Sequence, residues 1–188
     1  MTLMKKIIPF LFLLTACSPK EETTGIYTGE ADLRDRLRQF TALNENTKKK
    51  IILNRTGIHE LSFYFNDKVS HLDYEEEVIT IRSEEDKSEW TAKKVKGGFE
   101  LEDGSVLKYA KCADWEICLV EAETKAPVLK GRYELNGNKA TLSLWISDSE
   151  KHVELLGLMA NGLINRSRDH QQSIESSLET LSAPVWVY

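Results

Sequence analysis

Two dipeptides constrain this chain more than any other feature. Asp103-Gly104 separates Glu100-Leu101-Glu102 from Ser105-Val106-Leu107, and Asn136-Gly137 separates Arg132-Tyr133-Glu134-Leu135 from the run Ala140-Thr141-Leu142-Ser143-Leu144-Trp145. Apolar and polar residues alternate on both sides of each dipeptide. Asp-Gly and Asn-Gly accept the positive φ values of a type I′ turn, so a tight β-hairpin is expected at each. The same alternation recurs upstream. Leu61, Phe63 and Phe65 alternate with Ser62 and Tyr64, and Ile51-Ile52-Leu53 is a short apolar run before Thr56-Gly57. Val78-Ile79-Thr80-Ile81 follows the acidic stretch Asp73 to Glu77, Trp90 to Val95 is a further strand, and Gly97-Gly98 is a turn before Phe99-Glu100-Leu101. The expected fold is mainly β, an antiparallel barrel or sandwich of about 8–10 strands.

Helices are expected at the two ends of this pattern. Between Ala31 and Leu43, the residues Leu33, Leu37 and Phe40 fall at i, i+4 and i+7, which predicts an N-terminal helix. Ser173 to Leu181 predicts a late C-terminal helix, with Ile174, Leu178 and Leu181 on one stripe. Pro184 stops it, and Val185-Trp186-Val187-Tyr188 reads as a last strand. His152 to Met159 is apolar and fits either a strand or a helix.

Composition narrows the class further. The 188 residues are 41% hydrophobic and 29% charged, which argues against disordered, collagen-like and multi-pass membrane chains. A net charge of −5 gives no electrostatic footprint for a nucleic-acid partner.

The first residues differ from the rest. Lys5 and Lys6 precede the apolar run Ile7 to Leu14, and the small residues Thr15 and Ala16 follow. That run is far shorter than the ~20 residues of a membrane-spanning helix. The layout is that of a secretory signal peptide. Its junction, Leu14-Thr15-Ala16-Cys17, resembles the lipobox of bacterial lipoproteins. The resemblance implies cleavage after Ala16 and a diacylglycerol thioether on Cys17. Two or more acyl chains anchor a protein stably, so the membrane is an expected partner through the N-terminal lipid. Ser18, in the second mature position, resembles the outer-membrane sorting class. Residues 1–16 are then the signal peptide, 17–24 a lipidated polar tether, and 25–188 a single β-rich domain. Losing residues 1–16 removes Lys5 and Lys6 and no acid, which moves the net charge from −5 to −7. The lipid is then the sole element that seeks the membrane.

The lipobox also explains an odd cysteine count. With Cys17 lipidated, Cys112 and Cys118 remain, and an exported pair favours a disulfide. A metal site is not expected there, because five residues separate the two and no histidine lies near. His59, His71, His152 and His170 form no metal-binding motif, and no cofactor is expected. His71 beside Asp73 and Glu75 is the one titratable grouping on which an enzyme reading rests. Trp90, Trp115, Trp145 and Trp186 lie in or beside strands, where they pack the core or rim or line a ligand cavity.

Gly25-Ile26-Tyr27-Thr28-Gly29 resembles the opening of lipocalin-like domains. The stretch from Gly131 through Asn136-Gly137 to Leu142 is similar to a hairpin of bacterial lipocalin-like envelope lipoproteins with a calycin-type barrel. The chain departs from that pattern in lacking an early Cys-x-x-Cys and in the segment 31–43. The expected function is that of a lipid-anchored, non-enzymatic envelope protein on the periplasmic face of the outer membrane. It would bind a protein partner or a small apolar ligand. The alternative is a hydrolase-like envelope enzyme.

Overall fold

In the computed structural model the described residues are 25–34, 39–147 and 152–182. They form twelve strands and one helix. The strands are β1 (Ile26–Asp32), β2 (Gln39–Leu43), β3 (Lys50–Arg55), β4 (Glu60–Phe65), β5 (Lys68–Tyr74) and β6 (Val78–Ser83). They continue as β7 (Glu89–Val95), β8 (Gly98–Leu101), β9 (Val106–Tyr109), β10 (Ile117–Glu121), β11 (Pro127–Asn136) and β12 (Lys139–Ile146), and α1 spans Leu155–Ser182. Each strand pairs antiparallel with its sequence neighbour, and β1 pairs with β12 to close a barrel. The closing seam runs from Ile26↔Trp145 to Asp32↔Lys139, whereas β1 and β2 share only Thr28↔Leu43 and Gly29↔Ala42. The mainly β antiparallel class is as expected, with twelve strands where about 8–10 were counted from sequence.

The alternation that predicted strands sorts side chains to the two faces of the wall. Tyr27, Phe40, Ile51, Leu61, Phe63, Leu72, Ile79, Ile81, Leu129, Leu142 and Leu144 are almost completely buried on the inner face. Outward positions carry Thr28, Glu30, Asn54, Asp73, Arg82, Lys93, Glu100 and Lys108. A membrane-spanning barrel needs the opposite, an apolar outer band around a polar interior. No helix among the described residues is long and apolar enough to cross a membrane.

The helix sits inside. From Leu155 to Ile164 no residue of α1 is exposed, and Leu156, Ala160 and Leu163 are fully buried. Side chains from opposite parts of the wall reach it. A Cβ placed on Gly157 would lie 2.9 Å from Phe63 of β4, and one on Gly131 of β11 would lie 2.7 Å from Leu163 and Met159. Bare backbone at these two positions lets helix and wall approach closely. Both ends of this passage are marked. Just before α1, His152 packs on Trp90 of β7, their ring centroids 5.2 Å apart. Further along, Arg168 Nε donates to the carbonyl of Leu33, just past β1, at 3.3 Å. The rise from Leu155 to Arg168 is about 20 Å, so α1 threads the barrel from one end to the other. Barrels of about eight strands close around side chains alone, and those of 16–18 leave a channel. Twelve strands leave a width that a helix fills.

The two ends are called here the upper mouth, where α1 goes in, and the lower mouth, where it comes out. The upper mouth is ringed by the connections 44–49, 66–67, 84–88, 102–105 and 122–126, and β1 begins there. The lower mouth is ringed by 56–59, 75–77, 96–97, 110–116 and 137–138.

The N-terminal helix expected at Ala31–Leu43 is corrected. Ala31 and Asp32 end β1, Gln39–Leu43 is β2, and residues 35–38 lie outside the described residues. Leu33 and Phe40 match helical spacing, but they also continue the period-two series Tyr27-Gly29-Ala31-Leu33 and Phe40-Ala42, which the barrel wall selects. The C-terminal helix is present and longer than expected, taking in the ambiguous apolar stretch up to Met159. The expected last strand at 185–188 lies outside the described residues, as do the leader, Cys17 and Trp186.

Both dipeptide hairpins form, with different turns from those expected. Leu101 N–H bonds the Ser105 carbonyl at 2.8 Å and Gly104 has φ 80°, which is a three-residue loop with its glycine in the left-handed region. Asn136 pairs with Lys139, so the second turn is Gly137-Asn138, and only Gly137 has positive φ, at 58°. That is the first-position glycine of a type II′ turn. The type I′ pattern occurs instead at Asn66-Asp67, with φ values of 48° and 65°.

Candidate functional site at the upper mouth

The hairpin β8–β9 carries Leu101 and Leu107 on its inner face, and β11 contributes Val128 near its start. All three are buried. Beside them lie Ser147, just past β12, and His152, just before α1, whose φ of 61° is in the left-handed region. Between these elements lies a cleft of 490 Å³, lined by Leu101, Leu107, Val106, Val128, Ser147 and His152, with Asp103, Glu121 and Glu123 at its rim. A second recess of 350 Å³ adjoins it and shares Leu101, Asp103 and His152, adding Trp90 and Glu102. The floor is apolar and the rim acidic. Ligand pockets commonly combine an apolar lining with a few placed polar groups at this scale. Asp103 Oδ1 accepts from Ser105 N–H at 2.9 Å and also from the Ser105 hydroxyl. The rim carboxylate is therefore held by its own turn.

Glu154 closes the same mouth on the β5 side. Burial pushes its carboxyl above the ordinary value, against weaker downward effects from its own backbone, from Lys68 and from the Ser70 hydroxyl. A carboxyl drawn toward its neutral form beside an apolar opening marks a place shielded from water.

The sequence-flagged residues separate. His71 does not join Asp73 and Glu75. Its Nδ1 lies 3.1 Å from Ser62 Oγ and its Nε2 is 2.5 Å from Glu84 Oε1, all on the outer wall. Asp73 pairs with Arg82, which also holds Glu89 at 2.8 Å, and Glu75 is exposed in a lower-mouth connection. Ser62, His71 and Glu84 make a hydroxyl–imidazole–carboxylate chain, but Ser62 is 3% exposed and no described cleft includes it. A nucleophile must reach its substrate, and this hydroxyl is covered. Among the described residues no group of three or more His, Cys, Asp or Glu is placed to hold a metal ion.

Of the tryptophans, Trp90 lines the upper mouth. Trp145 and Trp115 flank the buried Lys130 on the outer face of β11, with Lys130 Nζ 4.3 Å and 5.9 Å from their ring centroids. Trp115 also carries Arg132 at 5.4 Å. Cys112 and Cys118 are joined in a disulfide with their Cα atoms 6.0 Å apart. Cys112 lies in the loop beyond β9 and Cys118 in β10, so the bond closes the loop that presents Trp115 to the outer wall. Charge over an aromatic face is attractive at these separations. The sequence pointed to this mouth only through Trp90, which lines the smaller recess. Leu101, Leu107 and Val128 were unmarked in sequence, because apolar strand residues look alike wherever the wall turns them.

A wider groove of 760 Å³ runs along the lower mouth past His59, Tyr74, Glu75, Glu77 and Lys94. Lys94 Nζ donates to the Glu76 carbonyl at 3.1 Å across it.

No known protein family, curated protein or solved structure matches this chain.

Proposed function

We propose that this chain is an outer-membrane bacterial lipoprotein, anchored through Cys17, whose barrel is a non-enzymatic binding module. It engages an envelope protein partner or a small apolar ligand at the upper mouth. The observation that carries the reading is the cleft itself, 490 Å³ with an apolar floor and an acidic rim. The lumen is taken up by α1, so the deep central cavity of a lipocalin, whose barrel has about eight strands, is not the place of binding. The start of β1 at the upper mouth supports an orientation. A tether of residues 17–24, fully extended, reaches at most ~29 Å, which keeps this mouth close to the membrane.

Two measurements test the reading together. Cys17→Ala is expected to abolish acyl labelling and release the protein from membranes. A photo-crosslinking residue at Ser105 is expected to capture a defined partner or ligand in intact cells, while one at Thr91 on the outer wall captures none. Membrane retention without label contradicts the anchor, and equal capture from both positions contradicts the cleft.

The hydrolase-like alternative rests on His71 with Asp73 or Glu75, and these take different partners in the fold.

A further inference from the structure

The lower mouth has a different chemistry on its β8–β11 side. Tyr109 stands on the inner face of β9, paired with the buried Leu119, yet it is 55% exposed. Much of the Tyr109 ring is therefore open to solvent at this side of the mouth. The loop that follows β9 is closed by the Cys112–Cys118 disulfide, and its Trp115 rests over Lys130 and Arg132 on the outer wall, away from the opening.

What the gap exposes is aromatic and cationic. Phe99 meets Tyr109 edge-on with ring centroids 5.9 Å apart. Tyr133, inward on β11, has its hydroxyl 3.2 Å from His170 Nδ1 on α1. Arg166, exposed on the preceding turn of the helix, is near enough to both tyrosines to oppose the upward push that burial gives each phenol. No hydrogen bond or ion pair joins the Arg166 side chain to a described residue. Tyr133 also feels the Glu116 carboxylate, and the exposed acids nearest in the chain are Asp114 in the same loop and Asp169 beside His170. A guanidinium is built to fork onto a carboxylate or phosphate, and aromatic faces take an apolar body.

We infer that this side of the lower mouth binds a small organic anion with an aromatic body, its carboxylate on Arg166 and its ring against Phe99 and Tyr109. The Tyr133 hydroxyl and the His170 imidazole flank the charged end. The site is separate from the upper cleft, whose rim carries Asp103, Glu121 and Glu123 and repels the same ligand. It does not rest on the proposed anchoring or on the use of the upper mouth.

The test uses three probes with the purified protein, followed by calorimetry and by the NMR signals of labelled tyrosine. The probes are 4-phenylbutanoate, 4-phenylbutylamine with the same body and opposite charge, and butanoate with the charge and no ring. The expected result is binding of 4-phenylbutanoate that shifts Tyr109 and Tyr133, at least about tenfold tighter than either control. Arg166→Gln and Tyr109→Ser, both at exposed positions, should each weaken it by about tenfold while leaving the unfolding midpoint in place. Equal binding of the amine, or unchanged affinity in both variants, overturns the inference. Shifts confined to residues of the upper cleft overturn it as well.

Discussion

The two mouths of one barrel are made from the same strands and crossed by the same helix, yet they have opposite characters. At the upper mouth an apolar floor of Leu101, Leu107 and Val128 is ringed by acids, with His152 beside it. At the lower mouth, on the β8–β11 side, Phe99 and Tyr109 meet edge-on and the loop after β9 is closed by a disulfide. The difference arises in the connections, since the wall between them repeats one inward-apolar pattern. A closed meander fixes the scaffold and leaves each rim free to take its own chemistry.

If α1 is the shared inner wall, then disturbing it should damage both mouths together. Leu163→Ala, at a fully buried position against β11, is expected to cost about 2–5 kcal/mol by denaturant unfolding. It should weaken ligand binding at both ends, and a loss restricted to one end would break the symmetry of the argument. The disulfide should act on one mouth alone. Replacing Cys112 and Cys118 together by Ser should destabilise by about 2 kcal/mol on the loop-entropy account. Hydrogen exchange should rise in residues 110–116 with the 102–105 hairpin unchanged; equal loosening of both would place the constraint elsewhere.

The smallest effect belongs to the upper mouth. Burial raises the Glu154 pKa above its ordinary 4.5, so the folded protein holds that proton more tightly than the unfolded chain. The resulting stabilisation is complete below the unfolded value and is lost as pH rises through the folded one. Glu154→Gln stays neutral throughout. Its unfolding midpoint should match that of the parent near about pH 4 and exceed it near about pH 8. A difference that does not change with pH would show that Glu154 is solvated in the folded state.

Much of the wall was legible because strand alternation is a local signal. Leu61-Ser62-Phe63-Tyr64-Phe65 reads as β4 whatever its neighbours are, and Asp103-Gly104 and Asn136-Gly137 mark their hairpins. The segment from Ala31 to Leu43 reads as a helix because Leu33 and Phe40 satisfy two periods, and only pairing with β12 and β3 selects between them. The Asn66-Asp67 turn carries no glycine to mark it, although Asn and Asp are the residues that best tolerate the left-handed region. The clefts were the least legible part. Leu101 on β8 and Val128 on β11 are far apart in sequence and line one cleft across β9 and β10, and no local pattern tells an apolar residue at a rim from one in the core. His71 shows the converse, since its nearest acids in sequence, Asp73 and Glu75, are not the one it holds.

A helix lodged inside a closed wall also sets an order of assembly. The segment that fills the interior follows the twelve described strands in the chain, so it leaves the ribosome after them. The β1–β12 seam joins one end of the strand series to the other, and it encircles that later segment. Zipping the seam first would shut the helix out, and the wall would then enclose a hollow lined with Leu, Ile and Phe. Productive folding therefore has the helix seated before, or together with, the meeting of β1 and β12. Both steps include contacts between residues more than a hundred positions apart, the kind that slows folding. Until they are complete the apolar lining stays open to whatever else can bind it.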